Sequence, residues 1–230
     1  MPNSESASEE LHRAWKSLLP SGVMTQTLPI ADYCDLLADG ELAYIAKAAE
    51  RRKKEFSTSR KAIRDLIHSQ CEAWEGVIPD SRHMPVWPEG WVGSISHSKG
   101  ICSVAIVRSN NLSSIGIDLE SLNRIRSELW RKIVSEEETS AIQAHAVQTE
   151  RSVDDLMTVV FSIKEAFYKY QFPKTGLWLG FLDVHLNFSP EQTISISLRP
   201  DLPQDIAEGI KIVYRITSNH VISTVYRLTE

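Results

Sequence analysis

The stretch at residues 161–169, FSIKEAFYK, constrains the fold more than any other part of this 230-residue chain. Glu165 and Lys169 stand four residues apart in it, so on a helix they are neighbours on one face. The apolar residues recur at three- and four-residue spacing, at Val160, Ile163, Phe167 and Tyr170. This period is typical of a buried amphipathic helix. We therefore predict a helix over residues 156–171, with the acid and the lysine away from its apolar stripe.

A second short segment, residues 113–120, ends in the sequence GIDLE and predicts a strand. Asp118 and Glu120 are two residues apart and share one face of such a strand. Together with Glu165, they could close around a hard cation such as Mg²⁺, which prefers oxygen ligands. Three carboxylates placed close together repel each other, so a cation is expected among them. On spacing alone, exposed strand-end acids and a surface ion pair between Glu165 and Lys169 are an equally good interpretation.

The composition is that of a soluble globular protein, with 42% hydrophobic and 24% charged residues. The formal net charge of −5 argues against a general nucleic-acid binder. The cysteines Cys34, Cys71 and Cys102 are widely spaced and form no CxxC pair, which favours neither a disulfide framework nor a zinc site. The first residues are polar, and no apolar run approaches the ~18 residues that span a bilayer. We therefore expect a cytoplasmic protein without a transmembrane segment.

Three further groups of polar residues precede the strand. Arg52 and Arg60 lie in the pattern R-x-x-E-F-x-x-x-R, and Arg82 opens the pattern R-x-x-P-x-W-P-x-G. Ser96 and His97 lie in the sequence SISHS, inside a predicted hairpin over residues 91–107. Adjacent residues of a strand point to opposite faces, so this serine and histidine do not form a hydrolase nucleophile pair. Taken alone, the basic run that contains Arg52 is better explained as a solvated helix end, and His97 as a structural histidine. For Arg82 alone, a surface arginine and a phosphate contact are equally good interpretations.

The remaining pattern predicts helices and strands in both halves of the chain. Residues 1–10 are expected to be frayed, Ser57 to cap a helix, and Ser135 and Glu138 to form a capping box. The predicted helices cover residues 11–20, 59–74, 124–134 and 135–146, with another beginning at residue 41. The predicted strands cover residues 24–31, 183–188, 193–198, 210–217 and 221–228, and the last four are predicted to form an antiparallel sheet. We predict an α+β fold with an N-terminal half, residues 1–112, and a C-terminal half, residues 113–230.

The combination of SISHS, GIDLE and FSIKEAFYK resembles the signature of the 4′-phosphopantetheinyl transferases. The two arginine patterns, and the run TGLWLGFLDV at residues 175–184, resemble the enterobactin-synthetase component D (Sfp-type) branch of that family. The similarity spans about residues 52–184, most of the chain. Phe161 stands where many members have tryptophan, and Ser59 stands where glycine is commoner; both departures keep the neighbouring functional positions.

This resemblance implies two pseudo-symmetric halves, with the active site in the cleft between them. It implies an enzyme, a holo-[carrier-protein] synthase, that moves the phosphopantetheine arm of coenzyme A, the co-substrate, onto a serine of an apo carrier protein. The expected partner is an acyl or peptidyl carrier domain, with siderophore peptide synthetases favoured over polyketide, fatty-acid or other peptide synthases. A monomer is expected.

The resemblance also assigns roles to individual residues. The metal, Mg²⁺ with Mn²⁺ as the alternative, would be held by Asp118, Glu120 and Glu165. The base would be Glu165 or a water activated by Glu120, and Lys169 would assist the chemistry. The coenzyme A-binding residues would be Arg52, Arg60, Arg82, Ser96, His97, Lys164 and Lys169.

Three points stay open at this stage. Residues 122–130 could dock the carrier through their apolar side chains and through Arg124, Arg126 and Arg131, or the apolar side chains could simply pack inward. A metal-dependent phosphohydrolase is a weaker alternative, because such enzymes usually have more histidine or aspartate ligands. An inactive carrier-binding relative is the other, and the intact Asp118, Glu120, Glu165 and Lys169 argue against it.

Overall fold

The computed structural model describes residues 4–70, 76–189 and 193–228. The chain divides into two compact units, one formed by Met1–Ile115 with Leu228–Glu230 and the other by Gly116–Arg227. Both units combine helices with antiparallel strands, so the α+β class predicted from the sequence is confirmed. Within the described ranges, no helix is both long enough and apolar enough to cross a bilayer.

The first unit packs helices against a three-stranded sheet with the strand order β1-β3-β2. Both strand pairs are antiparallel, and β2 and β3 form the predicted hairpin. Its turn residues, Lys99 and Gly100, have positive φ angles of 43° and 84°. The elements are α1 (Ser4–Leu18), β1 (Met24–Pro29), α2 (Asp39–Ile45), α3 (Glu50–His68), β2 (Trp91–Ser98) and β3 (Ile101–Arg108).

The N-terminal helix begins earlier than the sequence predicts. Residues 1–10 were expected to be frayed, but α1 starts at Ser4, and residues 1–3 lie outside the described part of the chain. Leu11 and Trp15 are fully buried, and the indole Nε1 of Trp15 donates a hydrogen bond to Ser103 Oγ at 3.0 Å. Packing against the sheet therefore stabilises a first helical turn that the polar sequence alone does not favour.

The predicted cap at Ser57 is wrong. Helix α3 runs without interruption from Glu50, and Ser57 lies buried in its interior. The Ser57 hydroxyl accepts from the Tyr33 backbone N–H, and the Thr58 hydroxyl bonds both backbone groups of Ala31. These hydroxyls hold the preceding loop against the helix instead of starting it. Helix α3 ends at His68, earlier than predicted, and the predicted end at Trp74 lies outside the described residues.

The second unit holds a three-stranded sheet of order β4-β8-β7 and a separate two-stranded sheet of β5 and β6. The sequence had suggested one antiparallel sheet for the last four strands, so this grouping is a correction. The predicted helix over residues 124–134 is also wrong, because only the short 3₁₀ helix Ser127–Lys132 forms there. The elements are β4 (Leu112–Ser121), α4 (Glu136–Thr149), α5 (Val153–Thr175), β5 (Val184–Phe188), β6 (Ile194–Leu198), β7 (Lys211–Ile216) and β8 (His220–Leu228).

The long helix α5 forms the centre of the second unit. It contains the predicted apolar stripe, and those four side chains are buried as expected. Ser152 caps its first turn by accepting from Asp155 N, and Gly176 ends it with a left-handed φ of 65°. The predicted capping box of α4 is also present, with Ser135 and Glu138 bonding each other's backbone N–H groups.

Gly116 allows β4 to lie directly against α5. A Cβ atom at this position would come within 1.9 Å of the Ala166 carbonyl oxygen and 2.6 Å of the Tyr170 nitrogen. Real side chains do not approach backbone atoms so closely, so only glycine fits without moving the helix. The contact fixes Asp118, two residues further along β4, beside the turn of α5 that carries Glu165 and Lys169.

Replacing Gly116 by alanine tests this contact. We expect Gly116→Ala to lower the free energy of unfolding by about 3 kcal/mol or more, because the added methyl meets backbone atoms that cannot rotate away. The measurement is denaturant unfolding followed by circular dichroism.

The matched control is Gly40→Ala, where the new methyl would meet the end of the flexible Ile78 side chain, Cδ1, at 2.5 Å. Alanine also favours the helix at this position, so the control should change stability by less than about 1 kcal/mol. Equal stability of Gly116→Ala and the native protein would contradict the close contact.

Candidate active site

Two buried carboxylates mark the end of β4. Asp118 and Glu120 are only 3% and 5% exposed, so each needs a partner for its charge. The ammonium Nζ of Lys169 donates to Asp118 Oδ1 at 2.7 Å and to the Ile117 carbonyl at 3.2 Å. Lys169 thus lies against the carboxylate and not in open solvent, one helical turn after Glu165.

Glu120 is held by Arg124, which follows it across a tight turn. The guanidinium Nη1 of Arg124 contacts both carboxylate oxygens of Glu120. This ion pair was not predicted from the sequence, where Arg124 was considered only for docking. A turn in which Asn123 adopts a left-handed φ of 57° brings the arginine back over the end of the strand.

Glu165 lies close enough to these four charged side chains for their charges to shift its pKa. Burial raises the pKa of Glu165, Lys169 and Arg124 lower it, and the carboxylates of Asp118 and Glu120 raise it further. The structure therefore brings together four residues that the sequence assigned to one site: Asp118, Glu120, Glu165 and Lys169. The three acids among them offer carboxylate oxygens as metal ligands, which suits a hard divalent cation such as Mg²⁺.

The carboxylates are not gathered around one point. Among the described residues, no group of three histidine, cysteine, aspartate or glutamate side chains is arranged to hold a metal ion. Asp118 and Glu120 instead each bind a side-chain cation, Lys169 and Arg124. Binding of a metal by all three acids would require these cations to move.

Lys164 has partners that the sequence did not predict. Its ammonium donates to the carbonyls of Ile133 at 2.8 Å and Phe181 at 3.0 Å, and to Glu138 Oε2 at 3.0 Å. Those three bonds match the three N–H donors of a lysine, and the residue is 2% exposed. Burial lowers the pKa of Lys164, while Glu138 opposes the shift. This arrangement argues against the phosphate contact predicted for Lys164, because no N–H remains for it.

Glu138 is the residue that sequence reasoning missed as a partner of Lys164. Besides Lys164, its carboxylate accepts from the backbone N–H groups of Ser135 at 3.1 Å and Leu186 at 2.9 Å. The capping box revealed only the Ser135 contact. Glu138 therefore joins α4, α5 and β5 immediately beside Glu165, and nothing local in the sequence indicates this.

The remaining predicted site residues belong to the first unit. Arg52 is exposed on α3, 3.8 Å from Glu55 Oε2, and Arg82 is exposed on its loop, 3.0 Å from Asp80 Oδ2. His97 is half-buried on β2, opposite Cys102 of β3, and the preceding Ser96 is buried. Arg52 and Arg82 are thus placed where a ligand could reach them.

Arg60 is almost fully buried on α3. Its Nε donates to the Val77 carbonyl at 2.7 Å, and the guanidinium lies over the Phe56 ring, 3.9 Å from the centroid. Burial lowers the pKa of Arg60 to about 10; Glu41 raises it and Arg52 lowers it further. Arg60 therefore supports the fold of this unit. A ligand could contact only the small part of its side chain that remains exposed.

A cavity of about 380 Å³ opens beside Glu165. Its walls include Tyr168 on α5 and residues 178–181, which follow the helix. The Trp178 side chain is 78% exposed, yet it packs edge-on against Tyr168, with ring centroids 5.3 Å apart. The cavity is a mainly apolar space next to a cluster of charges, which suits a flexible ligand with a charged end.

The sequence of this chain is similar to those of known proteins from one enzyme family. The family described as 4′-phosphopantetheinyl transferase N-terminal domain matches residues 40–107, and the 4′-phosphopantetheinyl transferase superfamily matches residues 114–225. The 4′-phosphopantetheinyl transferase Npt of Nocardia iowensis is 30% identical over 178 residues, 76% of this chain and 77% of the relative. Enterobactin synthase component D of Salmonella typhimurium is 27% identical over 191 residues, 81% and 76% of the two chains.

Among solved structures, the holo-[acyl-carrier-protein] synthase of Neisseria meningitidis matches part of this chain. It has 20% sequence identity and a TM-score of 0.40, and the match covers 52% of this chain and 99% of that one. The sequence matches show that the chain belongs to the 4′-phosphopantetheinyl transferase superfamily, an enzyme family of the holo-[carrier-protein] synthase type. The family and branch inferred from the sequence motifs are confirmed.

The buried pair of Lys164 and Glu138 gives a stability prediction. Lys164→Ala should lower the free energy of unfolding by about 3–5 kcal/mol, because it leaves the Glu138 charge buried without its partner. Lys61→Ala, which removes a more exposed lysine paired with Asp65 on α3, should cost less than about 1 kcal/mol. If Lys164→Ala instead keeps native stability and only raises the KM for coenzyme A, the phosphate role predicted from the sequence is correct.

Proposed function

We propose that this protein transfers the 4′-phosphopantetheine arm of coenzyme A to a serine hydroxyl of an apo carrier protein, with a divalent cation at Asp118, Glu120 and Glu165. The observation that supports the proposal is the placement of these acids and Lys169 in one charged cluster beside the Gly116 contact. Membership of the superfamily supports the reaction class. Similarity to an enterobactin synthase component favours a carrier domain of a siderophore peptide synthetase.

The reaction sets three chemical demands. The serine oxygen attacks the phosphorus that bears the pantetheine arm, a new P–O bond forms, and the bond to the departing 3′,5′-adenosine bisphosphate breaks. The serine loses its proton as it attacks, which Glu165, or a water held by Glu120, would accept. A bound Mg²⁺ would supply positive charge against the pyrophosphate oxygens.

Residues of this chain meet the other demands. Lys169 would bind the pyrophosphate, because its ammonium already lies beside the acids that would hold the cation. The cavity next to Glu165 would hold the largely apolar arm. Arg52, Arg82 and His97 would hold the 3′-phosphate end of coenzyme A, with Ser96 next to His97 on β2 and Arg60 keeping α3 in place.

The carrier would be recognised mainly by charge. Ile125 is buried, and Leu122 and Trp130 pack partly buried against the same core, so these apolar side chains turn inward. Arg124, Arg126 and Arg131 stay on the surface. Residues 122–130 would therefore meet an acidic carrier helix through arginines and the exposed Leu129.

Removing an acid of the cluster tests the function. Asp118→Ala and Glu165→Gln should each lower transfer by about 10²-fold or more, because the first loses a cation ligand and the second the base as well. The measurement is mass spectrometry of an apo carrier after incubation with coenzyme A and Mg²⁺. Added Mg²⁺ should partly restore Asp118→Ala but not Glu165→Gln.

Glu136→Ala serves as the matched control, since it removes an exposed carboxylate of α4, and its rate should be unchanged. Thermal melts without metal should show that the acid variants are folded. Native rates in Glu165→Gln, or a native protein that modifies no carrier and binds no coenzyme A, would contradict the proposal.

Removing a group of the first unit tests coenzyme A binding separately. His97→Ala and Arg82→Ala should each raise the KM for coenzyme A about tenfold and leave kcat nearly unchanged, because the charged hydrogen bond is made before and during the transition state alike. The matched control is Arg13→Ala, which removes an exposed arginine from α1. A loss confined to kcat would place His97 or Arg82 in the chemical step instead.

A further inference from the structure

Arg124 holds a buried acid with a side chain that is itself half in solvent. The Glu120 side chain is 6% exposed and that of Arg124 is 49% exposed. The Nη1 atom contacts both oxygens of the carboxylate, and Cζ lies 5.9 Å from the centroid of the Phe161 ring on α5. The guanidinium therefore joins the end of β4 to the helix that carries Glu165, at the limit of cation–π range.

The backbone conformation after β4 places Arg124 beside Glu120. β4 ends at Ser121, and the N–H of Leu122 donates to the Asn219 carbonyl at 3.0 Å. Asn123 then adopts a left-handed φ, which asparagine does more readily than most residues. Ile125 is buried in the core directly afterwards. The hydrogen bond of Leu122 and the burial of Ile125 thus fix the chain on both sides of Arg124. Its side chain lies over the end of β4.

A divalent cation and Arg124 compete for the same atoms. A cation held by Glu120 would use the carboxylate oxygens that Nη1 now contacts, and its charge would repel the guanidinium. Of the two partners, Arg124 is the one whose side chain is already half exposed to solvent, so it can leave at the lower cost. Phe161 and the solvent remain available to it after it has left.

We propose that Arg124 is a resident counter-ion: it neutralises Glu120 while no divalent cation is bound, and it leaves that carboxylate when one binds. The inference rests on the proposed function only for the assignment of Glu120 as a cation ligand. Arg124 then lowers the affinity of the free protein for the cation. Cation binding in turn changes the charge that residues 122–130 present to their surroundings.

Titration calorimetry with Mg²⁺ alone, without coenzyme A or carrier, tests this exchange, and Mn²⁺ alone serves as a second probe. Arg124→Ala should bind each ion about fivefold more tightly than the native protein, the factor expected when a partly exposed charge pair no longer has to be broken. Arg124→Gln, which keeps a hydrogen-bond donor but no charge, should shift affinity in the same direction and covers the case in which the alanine variant folds poorly.

Two controls separate the exchange from a general charge effect. Arg126→Ala removes the same charge from the same exposed segment and should change the affinity less than twofold. In a Glu120→Gln background, adding Arg124→Ala should no longer tighten binding, because the carboxylate that the arginine occupies is gone.

The inference is overturned if both Arg124 variants bind Mg²⁺ and Mn²⁺ no more tightly than the native protein does, or if Arg126→Ala tightens binding equally. It is also overturned if neither the native protein nor the variants bind either ion. Carrier modification is measured separately by mass spectrometry. Tighter cation binding by Arg124→Ala without any carrier modification would support the exchange and reject the proposed transferase function.

Discussion

The contact of β4 with α5 at Gly116 is the constraint on which the candidate site depends. The strand backbone reaches the helix backbone there, at Ala166 and Tyr170, with no side chain between them. This distance decides whether Lys169 can reach Asp118, since both residues lie only a short way from the contact. The groups of the candidate site are therefore positioned by main-chain packing, which varies less than the reach of long side chains.

Around this contact the protein places several charges where water scarcely reaches. Each is neutralised locally: Asp118 by Lys169, Glu120 by Arg124, and Lys164 by Glu138. The last pair is buried on both sides, and its geometry is completed by backbone groups, as in a structural ion pair. In the first two pairs, the basic side chain, Lys169 or Arg124, is partly exposed to water. The same residue types thus form an enclosed ion pair in one place and partly exposed ion pairs in the other.

How much the sequence predicted depends on how local each signal is. The stripe that ends at Tyr170 and the capping box at Ser135 are periodic or short-range patterns, and the structure confirms both. The position of Glu165 near the β4 acids followed from a multi-part motif. The burial of Lys164 could not be predicted, because its partner Glu138 is distant in the chain and only tertiary packing joins them. The early start of α1 depends likewise on burial of Trp15.

Helix α5 carries three lysines, and two of them, Lys164 and Lys169, have amines of opposite chemical availability. Lys164 is enclosed, with its donors directed at two carbonyls and a carboxylate, whereas the Lys169 side chain is 26% exposed beside Asp118. An acylating or aldehyde reagent in water can approach only the second without unfolding the helix. Covalent lysine chemistry on this helix therefore modifies Lys169 and the exposed Lys174 and passes over Lys164.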